Sequence, residues 1–159
     1  YQKYLPHIGN SYEFAELLSE MIGELNVSHA GARFSRSVSM ADATGALGVF
    51  FDYKHAENGI KITEVIPGGP LDKADIKVAV GMIIERIDGE LISPDVDFAK
   101  LLNRKADKFT LIDVLDPKTS VRTQYTIKPI SLGAENQLLY KRWVKRNQDE
   151  VEKLSGGKL

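Results

Sequence analysis

The sequence predicts an α+β protein: a small β-rich domain with a helical segment on either side. Three observations predict it. Short runs that are β-branched, aromatic or alternating recur between residues 49 and 130, bounded by Gly, Pro, Asn or Asp. Apolar residues recur at helical spacing before residue 26 and again after residue 133. The chain has 159 residues, 43% of them apolar, enough to bury one ordinary core with appendages.

Residues 1–9 form an irregular lead-in, broken by Pro6 and Gly9. Asn10 then caps a helix, with Glu13 three residues on. Phe14, Leu17, Leu18, Met21, Ile22 and Leu25 share one face of that helix, while Glu13, Glu16, Glu20 and Glu24 lie on the other. The pattern predicts a core-facing helix with a solvated acidic side, its partner surface lying in other parts of a longer protein. Residues 35–45 are small and polar and read as a linker.

Residues 49–53 and 60–66 read as strands about an Asn58-Gly59 hairpin turn. Gly68-Gly69-Pro70 breaks the second strand, and Pro70 suits the first turn of a short helix. Residues 80–87 form another strand, ended by Asp88-Gly89. Ser93-Pro94 predicts a second helix start, with Asp95, Ala99 and Leu102 on one face. Residues 109–115 and 121–130 are strands joined by a five-residue loop. Residues 134–154 read as a helix with Tyr140, Val144, Val151 and Leu154 on one side. Its Lys141, Arg142, Lys145 and Arg146 beside Trp143 read as a solvated face paired with Asp149, Glu150 and Glu152.

Composition removes several function classes. A net charge of −1 supplies no electrostatic reason to expect nucleic acid or an anionic membrane as partner. No apolar run approaches the ~20 residues of a membrane span. The absence of Cys removes disulfides, thiolate catalysis and Cys-type zinc sites, and leaves the compartment open between cytoplasm and periplasm. His7, His29 and His55 are not at ligand spacing, so no metal is expected, and no cofactor-binding motif is present. The start at Tyr1 and the end just after Gly156-Gly157 suggest an excerpt of a longer protein.

Two stretches carry candidate chemistry. A small-residue loop at Leu47-Gly48-Val49, leading into a strand, suits capture of a peptide's terminal carboxylate by backbone N–H groups. Ser28 beside His29 invites a catalytic reading. Neighbouring side chains diverge in any regular backbone, so Ser28 is a poor nucleophile for His29. Two readings stay open: a loop His beside a capping Ser, or a His that serves a nucleophile elsewhere while Ser28 shapes the site.

Leu47-Gly48-Val49, the run from Ile66 to Ala74 and the run from Gly81 to Gly89 together resemble PDZ domains, over roughly residues 45–130. The resemblance implies a small β-barrel or sandwich with two helices, in which a peptide adds antiparallel to the first strand. Backbone N–H groups of Leu47, Gly48 and Val49 would hold its carboxylate. Leu47, Val49, Phe51 and Leu102 would line the pocket for its last side chain, beside Ala99, and Asp95 would meet a side chain two positions upstream. Ala46 where Gly is usual, and Val49 where Phe is usual, depart from the commonest loop.

Glu24-Leu25-Asn26-Val27-Ser28-His29-Ala30-Gly31, placed before this segment, resembles tricorn-type serine peptidases, relatives of the C-terminal processing peptidases. That resemblance implies His29 as general base, Ser28 as its support, and a nucleophilic Ser from a domain after residue 159. It divides the chain into the end of a catalytic subdomain with its linker (1–44), a PDZ domain (45–131) and the start of a second catalytic domain (132–159). It further implies a parent that degrades oligopeptides and forms homo-oligomers, and a segment that is inactive alone. Two alternatives from other classes stand beside it: a non-enzymatic PDZ adaptor that binds protein C-termini, and a spacer whose groove is filled by a neighbouring segment.

Overall fold

The computed structural model describes residues 1–26, 28–35 and 42–158. Val27, the middle of the 35–45 linker and Leu159 therefore lie outside the described residues. The chain divides into two compact units, Tyr1–Ala41 and Asp42–Leu159.

The first unit holds a 3-10 turn, Gln2–His7, and helix α1, Ser11–Gly23. Asn10 caps α1 as its sequence predicts: its Oδ1 accepts from the N–H groups of Tyr12 at 2.9 Å and Glu13 at 3.1 Å. Glu13 answers by accepting from Gly9 N–H at 2.6 Å, one residue earlier than the usual reciprocal partner. The apolar face is covered only in part. Ala15 is buried and Tyr12 meets Phe34 edge to face at 5.1 Å, but Phe14, Met21 and Leu25 are exposed. The expected core-facing helix thus presents half of its stripe to solvent within this unit, with Leu17, Leu18 and Ile22 half-buried.

The second unit is built on an antiparallel sheet. Its path is β2 (Val49–Phe51), β3 (Ile60–Val65), β4 (Ile83–Ile87), β6 (Thr110–Asp116) and β7 (Val121–Ile127), with β5 (Glu90–Leu91) hairpinned onto β4. A separate pair joins β1 (Gly45–Ala46) to β8 (Ile130–Ser131), and helix α2, Leu132–Ser155, follows at once. The sheet is open, and the unit is mixed helix and sheet as expected, consistent with a PDZ-like domain.

Alternation places the core. On β6, Thr110, Ile112 and Val114 point inward, and on β4 Ile84 and Ile87 meet them. Ile62 and Ile127 complete that face, and Leu71, Ile76, Ile92 and Leu102 from the connections close over it. Each such aliphatic side chain, fully buried, contributes about 1.5–3 kcal/mol. The outer strand β7 is guarded by polar pairs: Arg122 with Glu85, and Gln124 with Asp113 at 2.7 Å.

The two inner helices expected from the sequence are shorter than their patterns suggest. Residues 70–74 form turns, because Asp72 turns its carboxylate back onto Gly68 N–H at 2.7 Å and competes with helical bonding. The Ser93-Pro94 start gives a turn, and only Phe98–Leu102 is helical, as a 3-10 turn. Asp97 caps it, accepting from Ala99 N–H at 3.1 Å. The cap lies four residues later than the sequence suggests.

Candidate peptide-binding edge and the Ser28–His29 turn

Strand β2 is the first strand of the sheet. It pairs with β3 at Val49–Val65, Phe50–Glu64 and Phe51–Ile62, and its other edge carries no strand among the described residues. Before it lies the bend at Leu47-Gly48-Val49. Gly48 has φ +68, and an added Cβ would sit 2.8 Å from Pro70 Cδ, so the left-handed bend and its close seat on the 69–70 turn both require glycine. Gly48 C=O accepts from Ile66 N–H at 2.9 Å.

The 3-10 turn 98–102 lies beside this bend and strand. Phe98 meets Phe51 edge to face at 5.2 Å, and the Thr44–Asn103 bridge joins the end of the turn to the start of β1. Of the residues expected to bind peptide, Leu47 and Leu102 are 4% and 2% exposed and belong to the core. Val49, Phe51 and Ala99 are half-buried, and Asp95 is exposed in the turn that precedes Phe98. Five of the seven, Leu47, Gly48, Val49, Phe51 and Leu102, therefore converge at one end of the sheet.

Helix α2 reaches the same place. The β1–β8 pairing sets Gly45 opposite Ser131 and Ala46 opposite Ile130, which brings the first turn of α2 beside the bend. Ser131 caps the helix, accepting from Ala134 N–H at 3.1 Å. The Gly48 N–H donates to Glu135 Oε1 at 3.2 Å. One and two turns on, Leu138 lies against Gly68, and Arg142 donates through Nε and Nη2 to the two carboxylate oxygens of Glu64 while its guanidinium sits 5.0 Å from the Phe50 ring centroid. Farther along, Lys145 pairs with Asp149 as the charge pattern predicts, and Tyr140, Trp143, Val151 and Leu154 are exposed.

The hydrogen bond from Arg142 holds the Glu64 carboxyl below the usual carboxylate range. A carboxyl with a depressed folded-state pKa stabilises the fold above its unfolded-state pKa, and this is lost as pH falls through the folded value. Unfolding by denaturant at pH 7 and pH 3 should therefore show an acid loss of stability that Glu64→Gln makes smaller. An unchanged acid loss in that variant would remove the pair from the account of how α2 is held.

Ser28 and His29 lie in an exposed turn after α1. His29 has φ +65, the left-handed region that non-glycine residues rarely enter and that clusters at functional sites. Among the described residues no group of three His, Asp or Glu is arranged to hold a metal ion.

Comparison with known proteins reaches from end to end. A tricorn protease homolog of Saccharolobus solfataricus is 27% identical across 100% of this chain. The putative tricorn-like protease C-terminal subunit of Sulfurisphaera tokodaii is also 27% identical across 100% of it. The chain resembles the tricorn proteases over its whole length. It spans only 15% and 19% of the lengths of these two relatives. The crystal structure of the tricorn protease superposes with a TM-score of 0.79 over 98% of this chain and 16% of that one, at 22% identity, which speaks to the fold alone. No protein-family model matches.

Phe98 belongs to the apolar surface, with Val96 and Leu101, that the sequence offers for walling a groove, whereas Glu135 and the Glu64–Arg142 pair were not foreseen at this edge. An acid in the first turn of a helix is locally favourable, which accounts for Glu135 without revealing its partner 87 residues away.

Proposed function

We propose that this chain is the peptide-handling segment of a larger, tricorn-like serine peptidase that degrades oligopeptides. The observation that carries the reading is the edge of β2 that carries no strand among the described residues, set between a glycine bend and the Phe98 turn, in a chain matched from end to end by tricorn protease homologues. An extended peptide adds antiparallel to β2, and its backbone supplies the hydrogen bonds that the edge lacks. Val49 and Phe51 present the half-buried apolar surface beside it.

His29 is the general base of the parent. Its imidazole takes the proton from a Ser hydroxyl supplied by another part of that protein as the oxygen attacks the scissile carbonyl. The same imidazole returns the proton to the leaving amine, and water then releases the acyl group. Ser28 holds the imidazole in orientation. On this reading the 159-residue segment binds peptide and does not cleave it, and the parent works as a homo-oligomer.

Hydrogen exchange tests the binding step. Saturation with a mixture of oligopeptides should slow amide exchange in residues 49–51 and leave β7, the opposite edge, unchanged. Equal exchange at β2 with and without peptide would overturn the reading.

A further inference from the structure

The expected recognition of a terminal carboxylate needs free N–H groups at the bend. The central one, Gly48 N–H, already donates to a carboxylate of the chain itself, Glu135 Oε1, at 3.2 Å. We infer that Glu135 occupies the carboxylate position of this groove, so that the site selects extended segments without reading a free C-terminus. The inference rests on the peptide-binding reading of the β2 edge and sets the chemical class of its ligand.

Three features make Glu135 a built-in occupant rather than a passing contact. The β1–β8 pairing and the Ser131 cap fix the start of α2 beside the bend. Leu138 against Gly68 and Arg142 on Glu64 and Phe50 hold the next two turns on the same side. Glu135 stands in the first turn of α2, where a helix favours an acidic side chain. A peptide's terminal carboxylate arriving at Gly48 would meet a like charge at hydrogen-bond distance and find its donor taken. A peptide that continues past the bend, or ends in a neutral group, meets neither obstacle.

The test uses this chain and an array of several hundred octapeptides, each presented with a free carboxylate and as its amide. Wild type should show no preference for the free carboxylate, binding it either more weakly than the amide of the same peptide or no more than roughly threefold better. Glu135→Ala should prefer the free carboxylate by about tenfold or more, the factor that one recovered hydrogen bond to a charged group supplies. Glu135→Gln keeps the helix former and removes the charge, and should shift the preference the same way by less. Wild type already favouring free carboxylates tenfold, or Glu135→Ala behaving as wild type, would overturn the inference and leave the peptide reading standing. Failure of every peptide to bind both wild type and Glu135→Ala, with thermal unfolding unchanged, would overturn both.

Discussion

Replacing His29 in the complete peptidase to which this chain is proposed to belong is expected to abolish oligopeptide hydrolysis. Loss of a general base that activates a serine lowers kcat by about 10⁴-fold or more. The variant must be chosen with the backbone in mind. His29 holds φ +65, a conformation that Ala adopts at a cost of roughly 1–2 kcal/mol and that Asn and Gly adopt more readily. His29→Asn and His29→Gly therefore separate chemistry from strain, and both should match His29→Ala in activity while keeping the wild-type unfolding temperature. Peptide binding to the β2 edge should survive all three. Retention of more than about a tenth of wild-type kcat in His29→Asn would exclude a base role, since no positioned base contributes so little. Ser28→Ala should fall between wild type and these variants, because Ser28 orients the base without replacing it.

Gly59→Ala is expected to be the most damaging single methyl group in the sheet. Gly59 closes the β2–β3 hairpin with φ +90, donating its N–H to Ile92 C=O at 2.7 Å. An added Cβ would stand 2.4 Å from Ile83 Cγ2 and 2.7 Å from Ile84 C=O. The second contact is backbone of the central strand and has nowhere to move. Backbone strain and overpacking together should cost about 3 kcal/mol or more, a large part of the ~5–15 kcal/mol of an ordinary domain. The unfolding temperature should fall on the order of 10 °C. Gly81 supplies the control: it has the same φ of +90, and nothing lies within 4 Å of its added Cβ. Gly81→Ala should lose only the conformational part, about 1–2 kcal/mol. Equal losses in the two variants would mean that the hairpin relaxes around the methyl group and that the close approach is unimportant.

Much of the local architecture was legible because it is set by neighbours in the chain. The Asn10 cap, the Asn58-Gly59 and Asp88-Gly89 turns, the alternation along β6 and the long C-terminal helix all rest on interactions within a few residues. The misreadings have local causes too. The Asp72 and Asp97 carboxylates bond to nearby backbone N–H groups and shorten helices that apolar spacing alone would extend. The α1 stripe shows the limit of periodicity: it says which face is apolar and not whether anything covers it.

The candidate site divides in the same way. The glycine bend, the strand after it and the Ser28–His29 pair stand in the sequence, because the residue types themselves carry the required backbone freedom and acid–base chemistry. That β2 ends the sheet among the described residues, that Leu47 and Leu102 are spent on the core, and that Glu135 lies on Gly48 N–H were decided only by the tertiary structure. Each depends on strands and helices distant in sequence meeting at one place. No local preference encodes such a meeting; the burial of the shared core does.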